Sequence, residues 1–127
     1  MPVENGYQGL LFGTDLYERD DLVHINDVQT ALYSTEYWEI GDLLISLRNR
    51  SAVFLYRPST NKVLWLQVGP WLHQHDSDFI GQSKISIFGN DVARREKDRQ
   101  EPFLNGQNDI YVYDFENGSI ITPYTSY

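Results

Sequence analysis

GDLLISLRNRSAVFLYRPSTNKVLWLQVGPWLHQHDSDFIGQSKISIFGN, residues Gly41–Asn90, decides the fold. Four runs within it, Leu43–Leu47, Ala52–Tyr56, Val63–Val68 and Lys84–Phe88, are rich in β-branched and aromatic residues and predict strands. Gly, Asn, Pro, Ser and Thr separate them. The breaks RNRS at Arg48–Ser51 and RPSTN at Arg57–Asn61 are short enough to join antiparallel neighbours as hairpins. Two of the chain's three histidines, His73 and His75, lie between the third and fourth runs.

Working outward, Leu22–Val28 (LVHINDV) places His24 and Asn26 at the same parity, hence on one face of an extended segment. Tyr7–Phe12 predicts a short edge strand, and the acidic Asp15–Asp21 a solvated loop. Gln29–Ile40 reads equally as a short helix or as an irregular aromatic loop. Beyond the central stretch, Asp91–Asn108 mixes both charge signs and predicts a long surface insertion. Ile110–Phe115 is then a strand, Glu116–Gly118 a tight turn, and Ser119–Thr122 a returning strand stopped by Pro123.

These segments repeat. HIND at His24–Asp27 matches HQHD at His73–Asp76, LISLRN at Leu44–Asn49 matches ISIFGN at Ile85–Asn90, and VFLY at Val53–Tyr56 matches IYVY at Ile110–Tyr113. The turn Thr60–Lys62 matches Glu116–Gly118. Four short strands per unit, at a spacing of about 40–50 residues, is the pattern of a β-propeller blade. The expectation is an all-β chain of two four-stranded antiparallel meanders. Blade one covers about 22–68 and blade two about 73–123, within a single partial domain spanning 1–127. Propellers close with about 4–8 blades, so the pair should belong to a longer chain or to a homo-oligomer that completes the ring.

Composition bounds the partners. Ten basic residues against 18 acidic ones give a formal charge of -8, which argues against a nucleic-acid surface. There is no cysteine, so disulfides and thiolate metal sites are ruled out. No apolar run approaches the roughly 18 residues needed to cross a bilayer, and MPVENGYQG lacks the basic and apolar regions of a secretory signal. No glycine-rich phosphate loop is present, so no nucleotide site or cofactor is expected.

The innermost strand of a blade lines the central channel, and the histidine-bearing segments hold that place in both copies. His24 and Asn26 from one, and His73 and His75 from the other, should project into shared space. Arg48 follows the second strand of the first copy, and Asn90 stands at the corresponding place in the second.

VHINDV, GDLLISLRNRSAVFLY, NKVLW, HQHDSDF and ISIFGND, in that order over about Asp21–Asp91, resemble the arylsulfotransferase family of six-bladed propellers. The resemblance implies transfer of a sulfuryl group from a phenolic sulfate ester to a phenol, independent of a nucleotide donor, through a sulfated histidine. His24, Asn26 and Arg48 match the family's HxN and SxR positions, and His75 matches the histidine of its QHD motif. His75 is thus the candidate nucleophile, with His24, Arg48 and Asn26 as catalytic partners and His73 and Asn90 in substrate binding. Where the family has FDN, this chain reads Phe88–Asn90 (FGN). The resemblance further suggests a periplasmic or secreted protein, or a cytoplasmic one if the chain is complete.

Those residue types suit that chemistry. A sulfate ester spreads one negative charge over three oxygens, and its transfer needs positioning and charge stabilisation. Arg48 offers a planar fork of donors, Asn26 an amide hydrogen, and a neutral imidazole a nucleophilic nitrogen. Blander readings stand beside it. His24 can be a satisfied structural residue, Arg48 and Arg50 turn residues paired with surface carboxylates, and Trp65 and Trp71 packing between blades. Asp27 and Asp76 read as turn or cap acceptors. His73 and His75 also resemble half of a zinc-hydrolase motif, but further histidine ligands are absent and no metal is expected. The alternative from another class is a non-catalytic propeller module that binds a partner or builds an assembly.

Overall fold

The computed structural model describes residues 24–90 and 108–124. The predicted edge strand at Tyr7–Phe12, the acidic loop at Asp15–Asp21 and nearly all of the Asp91–Asn108 insertion lie outside them. Two four-stranded antiparallel sheets follow one another along the chain. The first is β1 (Ile25–Thr30), β2 (Leu43–Leu47), β3 (Ala52–Arg57) and β4 (Lys62–Val68). The second is β5 (His75–Ile80), β6 (Lys84–Gly89), β7 (Asp109–Asp114) and β8 (Ser119–Ile121). Each sheet is a plain meander in sequence order, as expected for propeller blades. One 3₁₀ turn, Arg48–Arg50, links β2 to β3.

Local chemistry explains the hairpins. Ser51, Asn61 and Gly118 take positive φ, the left-handed conformation that tight connections require. Asn117 Oδ1 accepts from the Ser119 amide at 2.9 Å, which closes the last turn. Gln29–Ile40 is resolved as an irregular loop after β1 ends at Thr30. Thr35 Oγ1 accepts from the amides of Tyr37 and Trp38, a local bond that competes with helix.

The registers show how the sheets stack. Phe54 and Tyr111 hold the same place in the matched VFLY and IYVY runs, and each faces an isoleucine across its ladder, Ile45 and Ile87. Ile45 is therefore the counterpart of Ile87, one residue away from the pairing that LISLRN and ISIFGN suggested. On this register Ile85, Ile87 and Tyr111 of the second sheet pack against Leu44, Val53 and the buried Trp71. Their first-sheet counterparts, Leu43, Ile45 and Phe54, belong to a different cluster, with Leu47, Ala52 and Leu66. Strand alternation puts that cluster on the opposite face of the first sheet. Like faces do not meet. The sheets stack head to tail, which is consistent with neighbouring propeller blades.

A third cluster closes the end of the stack where β1 turns into β2. Trp38 is 1% exposed and meets Phe79 at 4.8 Å and Phe115 at 6.1 Å between ring centroids. The loop carrying it is pinned by Asp42, itself 2% exposed. Arg57 donates to both Asp42 oxygens, Nε to Oδ1 at 2.8 Å and the terminal nitrogen to Oδ2 at 2.7 Å, and the Glu39 amide adds a third bond at 2.8 Å. Burial works to raise the Asp42 pKa, but the Arg57 hydrogen bonds, the Glu39 amide and the guanidinium charge outweigh it, and the net direction is down.

A carboxylate held below its ordinary value of about 3.9 stabilises the fold above that pH, and the contribution fades as pH falls through the depressed folded value. Asp42→Asn should therefore lower stability by about 3 kcal/mol at neutral pH, because it strips the buried fork of its partner. Urea unfolding of both proteins from pH 7 down to pH 3 should show the difference shrinking only below about pH 4.

Candidate functional site

The six residues singled out from sequence gather at one end of the sheets, where β1 and β5 begin and β2 and β6 finish. His24 precedes β1 with φ +46°, and its carbonyl accepts from the Arg48 amide at 3.0 Å. Main-chain pairing thus brings His24 and Arg48 together. In the second sheet the Asn90 amide donates to the Leu72 carbonyl at 3.0 Å in the same manner. His73 also has a left-handed φ, +43°, and His75 opens β5 opposite Phe88.

Three of the six form a direct group. Asn90 Nδ2 donates to the His73 carbonyl at 3.0 Å and lies 3.4 Å from His75 Nδ1. The His75 ring packs on Phe88, with centroids 4.9 Å apart. Asn26 joins them indirectly, its Nδ2 donating to the Gln74 carbonyl at 2.7 Å. One of the Asn26 amide hydrogens is thus committed inside the seam, while the buried Asn26 Oδ1 makes no hydrogen bond. The shared face expected for His24 and Asn26 is not formed. His24 stands outside the strand in a left-handed conformation, and a register shift between Ile25 and Asp27 breaks the alternation at Asn26.

Gln74 went unnoticed in the sequence, yet it organises this end. It is fully buried between the two histidines, and its Nε2 lies 2.9 Å from Ser46 Oγ, 3.0 Å from the Ala52 carbonyl and 3.2 Å from the Leu47 carbonyl. A second tie runs beside it, from the Ser77 amide to Asp27 Oδ2 at 2.8 Å. The only signal available was a glutamine enclosed by HxH, which does not distinguish a buried amide from a solvated one.

The electrostatics here are not uniformly favourable to an anion. Burial raises the Asp78 pKa, and the charges of Asp76 and Asp27 push it further. Among the described residues, no group of three or more His, Asp or Glu side chains is arranged to hold a metal ion. A cavity of about 220 Å³ lies at the opposite end, lined by Glu36, Tyr37, Gln82, Ser83 and Glu116. None of the six sequence candidates lines it.

An all-β chain of stacked four-stranded meanders, with histidine and asparagine held at the starts of the first strands, defines a propeller-type protein with a polar strand-end site. Residues 2–126 match the arylsulfotransferase (ASST) family, and the chain belongs to it. No curated protein and no solved structure matched the chain.

Gln74→Leu should remove the donor from two buried carbonyls and destabilise the fold by roughly 2 kcal/mol. Gln74→Glu should lose more, because a carboxylate only accepts and would face the Leu47 and Ala52 oxygens. Denaturant midpoints of the two variants, compared with wild type, check the order.

Proposed function

We propose that this chain supplies the sulfate-handling end of an arylsulfotransferase, moving a sulfuryl group from a phenolic sulfate ester to a phenol through a transient sulfohistidine. In the first half-reaction an imidazole nitrogen bonds to sulfur while the aryl S–O bond breaks and the phenolate leaves. In the second, a phenol oxygen bonds to sulfur, its proton is lost, and the N–S bond breaks. Nucleotide chemistry is not required at any point.

The observation that carries this reading is the coincidence of two facts. The family match spans residues 2–126, and within it His73, His75 and Asn90 are hydrogen-bonded as one group at a strand end. His75 remains the proposed nucleophile. His24 and Arg48, joined through their main chains, and Asn26 are proposed as its catalytic partners. Arg48 is the cation suited to the sulfuryl oxygens, and His73 and Asn90 are proposed on the substrate side. We further propose that the two sheets belong to a larger propeller, completed by more chain or by further copies, because head-to-tail stacking of two blades leaves the ring open.

Incubation with 4-methylumbelliferyl sulfate should release the fluorophore only when phenol is added as acceptor. His75→Ala should reduce that release at least ~100-fold, and Arg48→Lys should reduce it less, since the charge stays while the planar fork is lost. Equal, acceptor-independent background in all three proteins would reject transfer in favour of a non-catalytic binding module.

A further inference from the structure

The proton on His75 has a definite place. Asn90 Nδ2 faces the His73 carbonyl oxygen at 3.0 Å. A carbonyl oxygen only accepts, so the atom in front of it must be the amide NH₂, which settles the amide's orientation. The same NH₂ lies 3.4 Å from His75 Nδ1. Its first hydrogen goes to His73, and the second is directed at the imidazole. In a neutral ring one nitrogen donates and the other accepts, so the nitrogen meeting an N–H must be the acceptor. The opposite arrangement would set two N–H groups head to head.

Asn90 has little freedom to escape this assignment. Its own amide is tied to the Leu72 carbonyl at 3.0 Å, and the His75 ring is held against Phe88. We infer that Asn90 is a positioning residue that holds neutral His75 with its proton on Nε2, so that the ring presents a hydrogen-bond donor to an oxyanion. The chemical consequence rests on the sulfuryl-transfer reading, whereas the tautomer does not. The outer oxygens of a sulfuryl group are acceptors only, and Nε2–H complements them. In this state His75 binds and polarises the group, as an uncharged donor. Attack through Nε2 requires the ring proton to move to Nδ1 first, and that move breaks the Asn90 contact. Asn90 thus selects between the donor and nucleophile states of the same histidine.

Long-range ¹H–¹⁵N correlation spectra of the ¹⁵N-labelled chain, with His75 assigned by its loss in His75→Gln, read the tautomer directly. Wild type should show a pyridine-like Nδ1 and a pyrrole-like Nε2. Asn90→Asp should exchange the two patterns, because its carboxylate accepts from Nδ1–H. Asn90→Ala, which removes the restraint without adding an acceptor, should give intermediate, averaged shifts. A pyrrole-like Nδ1 in wild type, or an unchanged pattern in the correctly folded variants, overturns the assignment. Inorganic sulfate, with chloride at equal ionic strength as control, should shift the wild-type Nε2–H signal, and no shift overturns the oxyanion half of the inference. Turnover of 4-methylumbelliferyl sulfate is scored separately. Its absence with the Nε2–H pattern intact counts against sulfuryl transfer alone.

Discussion

A buried amide, that of Gln74, organises the seam between the two sheets at their histidine end. Gln74 leaves the connection after β4 and enters the first sheet, where its Nε2 meets the Leu47 and Ala52 carbonyls at the point where the β2–β3 ladder stops. Leu47 and Ala52 are the last rung of that ladder, and a hydrogen bond to a buried carbonyl there contributes about 1 kcal/mol. The glutamine adds a donor to both carbonyls from the neighbouring sheet. The main-chain carbonyl of Gln74 accepts from Asn26 Nδ2, so hydrogen bonds run both ways across the seam. His73 and His75 are the residues on either side of Gln74. Their positions relative to the first sheet therefore follow from where that amide can bond.

The opposite end is held by different physics. There Trp38, Phe79 and Phe115 interlock, Trp65 reaches Tyr113 at 4.8 Å, and the polar element is the Asp42–Arg57 pair that fixes the loop below Trp38. Aromatic packing is tolerant of small shifts, whereas a glutamine bonded to two carbonyls is directional. Bulk adhesion thus lies at the loop end and angular precision at the histidine end. That division suits the proposed site, whose groups would face one small anion.

The strands were readable because each alternates, or runs apolar, over five or six residues bounded by turn formers. The central β2, β3, β4 and β6 fell within a residue or two of expectation. Register was less readable. LISL and ISIF each place apolar residues on both parities, β2 being buried on both faces and β6 buried on one and half-buried on the other at Ser86 and Phe88, so a one-residue slip leaves the pattern intact. Only cross-strand partners, Ile45 with Phe54 and Ile87 with Tyr111, break the tie. At the site, residue types were visible but geometry was not. Parity placed His24 beside Asn26, and a left-handed residue followed by a bulge undid it. Gln74 was invisible for a related reason, because burial of a polar side chain depends on acceptors that a different hairpin presents.

Charge sets the last constraint on the site. The chain carries a formal charge of -8, and at Asp78 burial first, then the charges of Asp76 and Asp27, raise the carboxyl pKa. A unit charge ~8 Å from a bound anion opposes it by about 2 kcal/mol at an effective dielectric of about 20. The Ser77 amide on Asp27 draws off part of that field. Strong binding of a sulfate ester through net charge is therefore not what this end is built for. For the proposed reaction, neutral, oriented donors are the better match: the remaining amide hydrogen of Asn26 and the imidazole N–H would hold oxygens by direction rather than by charge, with Arg48 the nearby cation on the His24 side. In the proposed reaction such donors would need no reorganisation as negative charge shifts from the sulfuryl oxygens to the departing phenolate, and would release the product without a counter-charge to overcome. In the proposed reaction, an acidic chain exchanging one monoanion for another would gain more from that arrangement than from a cationic well.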